Sequence, residues 1–394
     1  MRSHSTTAFA AFAAFGAFWG TWGASVPRLR DQTGIDDAQL GLALLFIGAG
    51  ALPAMLLTGR AVDRWGLRVA AGALVALGLA GVTVALTASD VAGLCAGLLL
   101  VGATSGATDV AMNAAAGRAE QLTRRPVITR AHGTFSAFVV VSSLGTGLLN
   151  AGGFPVFVPF AAVAAVSVTA GVLMLRDLRP PAGVALAPET KHHRIGIGVW
   201  PLLLVGLLGA LAFASENAHQ SWGAVFLEDE LGSGSGLSSL APAVFAGVVA
   251  VTRFAIGGVK PAHSTRILLA GSAAAAGGAV VLAVSSTLGS ALVGLSLAAA
   301  GTAVLFPTLM GVVSRQVNEA ERGRATSLLA TVSYLGFLLG PVYVGLWSGA
   351  VGLRGAMIAV AALGLALLVM TPLVLRLTGF GKSEVLSKAA AVGE

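Results

Sequence analysis

The sequence predicts an all-α membrane protein of twelve transmembrane helices, arranged as two pseudo-symmetric six-helix bundles. Three observations lead there. Long uncharged apolar runs fill the chain from Ser5 to Leu375, Lys and Arg keep to alternate breaks between those runs, and short segments of the first half recur in the second.

The runs come first. A hydrocarbon core of roughly 30 Å is crossed by about 20 apolar residues of helix. Runs near that length occupy 5–27, 38–59, 69–89, 91–108, 195–215, 231–252, 325–353 and 355–375. Two longer runs, 131–175 and 267–314, each hold two crossings. Gly152-Gly153 and Pro155 divide the first, and Ser285-Ser286-Thr287 the second. Composition agrees: 10% of residues are charged, against about 25% in soluble domains. The 53 glycines suit a lipid setting, where small residues let helix backbones pack closely. The lone Cys95 lies within an apolar run, so no disulfide framework is expected. The N-terminal run is too long for a secretory signal and carries Trp19 and Trp22 before Pro27, so it reads as an uncleaved first helix.

The charge pattern sets the topology. With the N-terminus taken as cytoplasmic, 21 of the 24 Lys and Arg residues fall on the cytoplasmic side, and Arg28, Arg30 and Arg354 are the exceptions. Positive residues are retained on that side. Both termini are therefore expected in the cytoplasm of a bacterial inner membrane. The net charge of +7 is explained by topology, and nucleic acid is not an expected partner.

The duplication divides the chain. Trp22-Gly-Ala24 recurs as Trp222-Gly-Ala224, and Ser143-Leu-Gly145 finds an echo in Tyr334-Leu-Gly336. The boundaries read as a bundle over 1–178, a polar cytoplasmic linker over 179–195, a second bundle over 196–380 and a cytoplasmic tail over 381–394. Parallel six-helix repeats are one plan of secondary transporters.

At the second break the residues carry a family resemblance. Gly59-Arg-Ala-Val-Asp63-Arg64-Trp-Gly66-Leu-Arg68 resembles the G-x-x-x-D-R-x-G-x-R signature of the major facilitator superfamily. Arg253 with Gly257-Gly258 resembles its degenerate copy in the second half. Gly106-Ala-Thr-Asp109-Val-Ala-Met-Asn113 and His132-Gly-Thr-Phe-Ser136 are similar to the fucose-permease-like sugar branch and related bacterial inner-membrane carriers. The resemblance implies a twelve-helix carrier working by alternating access. It also implies a gating cluster of Gly59, Asp63, Arg64, Gly66, Arg68, Arg118 and Arg253 that latches one state through ion pairs across the cytoplasmic seam. The alternative is a solvated positive loop. The first-span acid of that branch has no counterpart between Ser5 and Pro27.

Ionisable groups at membrane depth are costly and mark function. Asp109 shares a helical face with Gly102, Gly106 and Asn113, and His132 is expected at similar depth. A carboxyl group beside an imidazole can take up and release a proton; a structural hydrogen-bond pair is the alternative. Glu216 lies three and four residues before His219 and Gln220, hence on their face, with Asn217 adjacent. The expected proton-coupling residues are Asp109, His132 and Glu216. Those expected to meet substrate are Trp19, Asn113, Glu216, Asn217, Gln220, Trp222 and Tyr334. Aromatics beside hydrogen-bonding groups suit sugars and flat organic molecules alike. The expected partners are a small-molecule solute, protons and the bilayer. No cofactor, metal or enzymatic activity is expected, and the chain is expected to act as a monomer. Sugar-type uptake, efflux of a drug or metabolite by proton antiport, and a ligand sensor that moves nothing all remain open.

Overall fold

The structure, a computed structural model, describes residues 2–66, 68–176, 198–256 and 261–380. The expected linker over 179–195, the tail over 381–394 and Gly257-Gly258 lie outside the described residues. Within them the regular structure is helical, with no strand. In order the elements are α1 (Arg2–Thr33), α2 (Asp37–Trp65), α3 (Arg68–Thr87), α4 (Val91–Thr123), α5 (Val127–Ala151), α6 (Phe157–Arg176), α7 (Val199–Asp229), the single turn α8 (Gly234–Leu237), α9 (Leu240–Ile256), α10 (Ser264–Ala283), α11 (Leu288–Gln316) and α12 (Glu319–Leu377). A 3₁₀ turn, Pro261–His263, precedes α10.

Among the described residues, eleven helical segments are long and apolar enough to cross a membrane. The last, α12, is interrupted at Gly352, whose φ of 76° and ψ of 168° leave the helical region. The apolar runs end at a charge, Arg354, but the helix breaks two residues earlier, because glycine tolerates that backbone and Arg354 does not need to leave the helix. Its guanidinium instead donates to the Ala283 and Ser285 carbonyls at 2.9 and 2.7 Å. Those carbonyls close α10, where the helix dipole favours a cation.

Helix ends follow local chemistry. Asp36 and Gln39 form a reciprocal capping box, with bonds of 2.8 and 3.1 Å, satisfying donors that a helix start leaves open. Asp90 caps α4 through the Gly93 amide at 2.7 Å. Gly66 turns the chain after α2 at φ 65°, a conformation glycine adopts without penalty. The first apolar run stops at Pro27, yet α1 continues to Thr33. Arg28 supports that extension by donating to Asn150 Oδ1 (2.9 Å) and the Phe154 carbonyl (2.8 Å).

The described residues within Met1–Val184 and Gln220–Gly247 cluster as one compact unit, and those within Ala185–His219 and Val248–Glu394 as another. The segment 220–247 thus clusters by contact with the first unit. In the first unit α2 lies against α4 and α1 against α5. A Cβ on Gly102 would strike the Ile47 backbone, one on Gly106 Ala51, and one on Gly50 the Ala103 amide. The glycine face singled out on α4 is thus where α2 makes backbone contact, the packing expected of small residues in lipid. Ser143 on α5 donates to the Gly20 carbonyl of α1 at 3.1 Å, and the Thr21 and Thr146 hydroxyls meet at 3.0 Å.

The second unit repeats these devices. Gly278 and Gly301 bring α10 and α11 into backbone contact, and Gly336 and Gly340 seat α12 on Ala210 and Ala214 of α7. Ser333 donates to the Leu329 carbonyl of its own helix at 2.7 Å, with the Gly206 carbonyl of α7 at 3.4 Å as a second, weaker acceptor. The hydroxyl that acts like Ser143 is therefore Ser333, one residue before the Tyr334 that the sequence echo pairs with it.

Candidate functional site

In the second unit a charged pair lies inside the helices. Glu216 sits near the middle of α7 with its side chain 9% exposed, and Arg253 Nη2 on α9 is 3.3 Å from its Oε1. Arg253 Nε also donates to the Ala303 carbonyl of α11 at 3.3 Å. The sequence reading puts Arg253 in a loop as a gating residue. It lies instead in the last turn of α9 and ties three helices together. Charge marks where an apolar run stops, but a long side chain can reach back along its own helix to a buried acid.

Beside this pair stands an aromatic group. Phe213, one turn before Glu216 on α7, packs at 4.3 Å between ring centroids on Phe306, one turn after Ala303 on α11. Tyr334 and Phe337 of α12 close on Phe213 at 5.4 and 6.1 Å. Asn217 Nδ2 donates to the Phe337 carbonyl at 2.5 Å, which fixes α12 against α7. His219 is buried, with Nδ1 2.7 Å from the Ser215 carbonyl, so that nitrogen carries a hydrogen. Phe213 and Phe337 escaped the sequence reading. The spacing of Phe213 from Glu216 was visible, whereas the partners from α11 and α12 come only with the fold.

In the first unit Asn113 Nδ2 donates to the Asp109 carbonyl (2.9 Å) and to Asp109 Oδ1 (3.1 Å). The Asp109 carboxylate accepts from Asn113, and the His132 ring stands edge-on to Phe12 at 4.9 Å. Trp19 is half-buried and edge-on to Phe18 at 5.6 Å. Trp22 and Trp222 are buried, Trp222 completely, so Trp222 offers a solute no surface in this conformation. Gln220 is half-buried.

Two charged clusters of the first unit contrast. Arg30 donates to both Asp229 carboxylate oxygens, at 2.5 and 2.8 Å, and to Asp37 at 2.9 Å, with its own side chain 13% exposed. This clamp joins the end of α1 to the start of α2 and the end of α7. Asn150 reinforces the same end, accepting from Arg28 and donating to the Ser235 carbonyl at 3.3 Å. In the signature, which the structure places over the last turns of α2 and the start of α3, Asp63 and Arg68 are by contrast exposed and, among the described residues, Asp63, Arg64, Arg68 and Arg118 form no ion pair. Arg64 lies over the Trp65 ring at 5.5 Å instead. Exposed charges there need no partner, since water solvates them about as well as a surface ion pair does.

A chain of many membrane-capable helices with a buried acid paired to an arginine has the architecture of a multi-pass membrane protein. The comparisons agree. The model of the Major Facilitator Superfamily matches residues 7–297 and 262–391, and the chain belongs to that family. It is 30% identical over 330 residues to an uncharacterised MFS-type transporter of Yersinia pestis, covering 81% of this chain and 82% of the relative. It is 27% identical over 353 residues to the membrane protein MosC of Rhizobium meliloti, covering 86% and 82%. In fold it is similar to a bacterial homologue of the human lysosomal transporter Spinster in an inward-facing, occupied conformation, with a TM-score of 0.72, 16% identity and coverage of 94% and 96%. It is also similar to the nucleoside transporter NupG, with a TM-score of 0.71, 15% identity and coverage of 95% and 99%.

Proposed function

We propose that this chain is a proton-driven secondary transporter of a small organic solute, working by alternating access in a bacterial cytoplasmic membrane. Counting the two arms of α12 separately gives twelve crossings, an even number that keeps both termini cytoplasmic. The observation that carries the reading is the Glu216–Arg253 pair held within membrane-capable helices, since charges persist there when they bind or move something. Glu216 and Asp109 are the coupling acids, with His132 accessory to Asp109. Trp19, Asn113, Asn217, Gln220 and Tyr334 meet the solute, while Trp222 supports the scaffold from behind. The gating role of Gly59, Asp63, Arg64, Gly66, Arg68 and Arg118 belongs to the other state of the cycle. Arg253 leaves that gating set for the solute-binding side.

The test is flux into proteoliposomes under an imposed pH gradient, using solutes chosen by thermal-shift screening of sugars, amino acids and antibiotics at two pH values. Glu216→Gln and Asp109→Asn are expected to lose gradient-driven accumulation while retaining solute exchange. Accumulation at the wild-type level in both variants removes these acids from coupling. A solute that binds without crossing in either direction makes the chain a sensor.

A further inference from the structure

The second unit holds a two-tier arrangement whose chemistry is narrower than that of a general solute site. We infer that it is a binding site for an aryl carboxylate, a planar ring bearing its acid group directly or one bond away. This rests on the reading that the Glu216 region receives substrate.

The upper tier is the Arg253 guanidinium. Its Nε goes to the Ala303 carbonyl and its Nη2 to Glu216. Those two bonds occupy one edge of the planar fork and hold its orientation. The end bearing Nη1 has no partner among the described residues, and the side chain is 47% exposed while Glu216 is 9% exposed. A guanidinium anchored along one edge presents two parallel N–H groups at the other, the geometry that matches a carboxylate. A hydroxyl accepts only one of them well. Glu216 is the buried anchor, and the open donors are those of the arginine.

The lower tier is the aromatic group. Phe213 precedes Glu216 by three residues on α7, and Phe306 follows Ala303 by three on α11. The two helices run in opposite senses here, since the two rings meet at 4.3 Å and Arg253 bridges their other turn. Three residues of helix rise about 4.5 Å, so the rings lie about that far from the charged tier. Tyr334, which is 41% exposed, extends the ring surface at 5.4 Å from Phe213. A ring stacked on this surface, with its acid within a bond or two, reaches Arg253 without spanning a gap. Offset and edge-on ring contacts add stabilisation beyond burial. An aliphatic acid would forgo it, and an uncharged aryl compound would leave the fork unfilled.

The test uses the full-length chain in lipid nanodiscs and equilibrium dialysis of radiolabelled benzoate. Unlabelled nicotinate, cyclohexanecarboxylate, benzamide and glucose serve as competitors. Nicotinate is expected to displace benzoate, cyclohexanecarboxylate to do so about tenfold more weakly, and benzamide and glucose not to compete. Arg253→Lys keeps a cation beside Glu216 but removes the fork, and is expected to weaken benzoate about tenfold or more. Phe306→Leu is expected to erase the preference for benzoate over cyclohexanecarboxylate, a ratio that partial misfolding does not change. No benzoate binding, glucose competing as well as nicotinate, or an unchanged ratio in Phe306→Leu overturns the assignment. Dialysis reads binding without transport, so the two readings fail separately. Benzoate bound but never moved by proteoliposomes sinks the transporter and spares the site; another solute moved with no benzoate bound does the reverse.

Discussion

Replacing Arg30 by Gln should open the end of the first unit where α1, α2 and α7 meet. The guanidinium makes four charge-assisted hydrogen bonds, two to Asp229, one to Asp37 and a long one of 3.5 Å to the exposed Asp31. Such bonds contribute about 1.5–3 kcal/mol each when shielded, but exposed pairs give about 0–1 kcal/mol. Arg30 is 13% exposed, Asp37 20% and Asp229 32%, so an intermediate total of about 2 kcal/mol is reasonable, and removal also leaves two acids facing each other. A loss of about 2 kcal/mol raises the open population roughly 30-fold. The assay follows a cysteine at Ser239, a residue 2% exposed that packs over Gly147 of α5, in a Cys95→Ser background. Thiol labelling of Ser239→Cys in purified protein should accelerate by roughly that factor in Arg30→Gln when opening precedes reaction. It should accelerate less at 1 M salt, where the wild-type clamp is already weakened. Equal labelling rates in the two proteins, with unchanged thermal unfolding, would refute the clamp.

Further outcomes follow from packing. Gly336→Ala places a methyl against the Ala210 backbone and should cost roughly 1–3 kcal/mol, read as a lower unfolding temperature in detergent. Gly145→Ala meets nothing within 4 Å and should be neutral or stabilising by up to about 1 kcal/mol. Reversed signs for these two would discredit the glycine contacts. Thr21→Val should destabilise by about 1 kcal/mol through the stranded Thr146 hydroxyl. The double change with Thr146→Val should cost less than the two single losses combined, and strict additivity would show that the hydroxyls do not bond.

The crossings were legible because length and apolarity are local properties. The breaks at Gly152-Gly153 and after Ser285 fall between α5 and α6 and between α10 and α11, since turn residues announce themselves. The glycine face of Asp109 was also legible, as helical periodicity assigns faces without tertiary knowledge. Partners were not. Glu216 and Arg253 lie on different helices, and nothing in their spacing distinguishes that pair from Arg253 standing in a loop. Asp109 and His132 pose the same difficulty: equal depth does not specify rotation about the helix axis.

The contact of α2 with α4 has a mechanical consequence. Ile47, Gly50, Ala51 and Met55 of α2 all meet α4, and they bracket Pro53, the residue at which α2 would otherwise flex. Splinted across its weakest joint, α2 becomes a stiff bar of roughly 43 Å. One tip carries Asp37, held by Arg30; the other carries Asp63, exposed and without an ion pair among the described residues. A stiff bar passes a push at one tip to the other with little loss, which a helix free to bend at its proline would absorb.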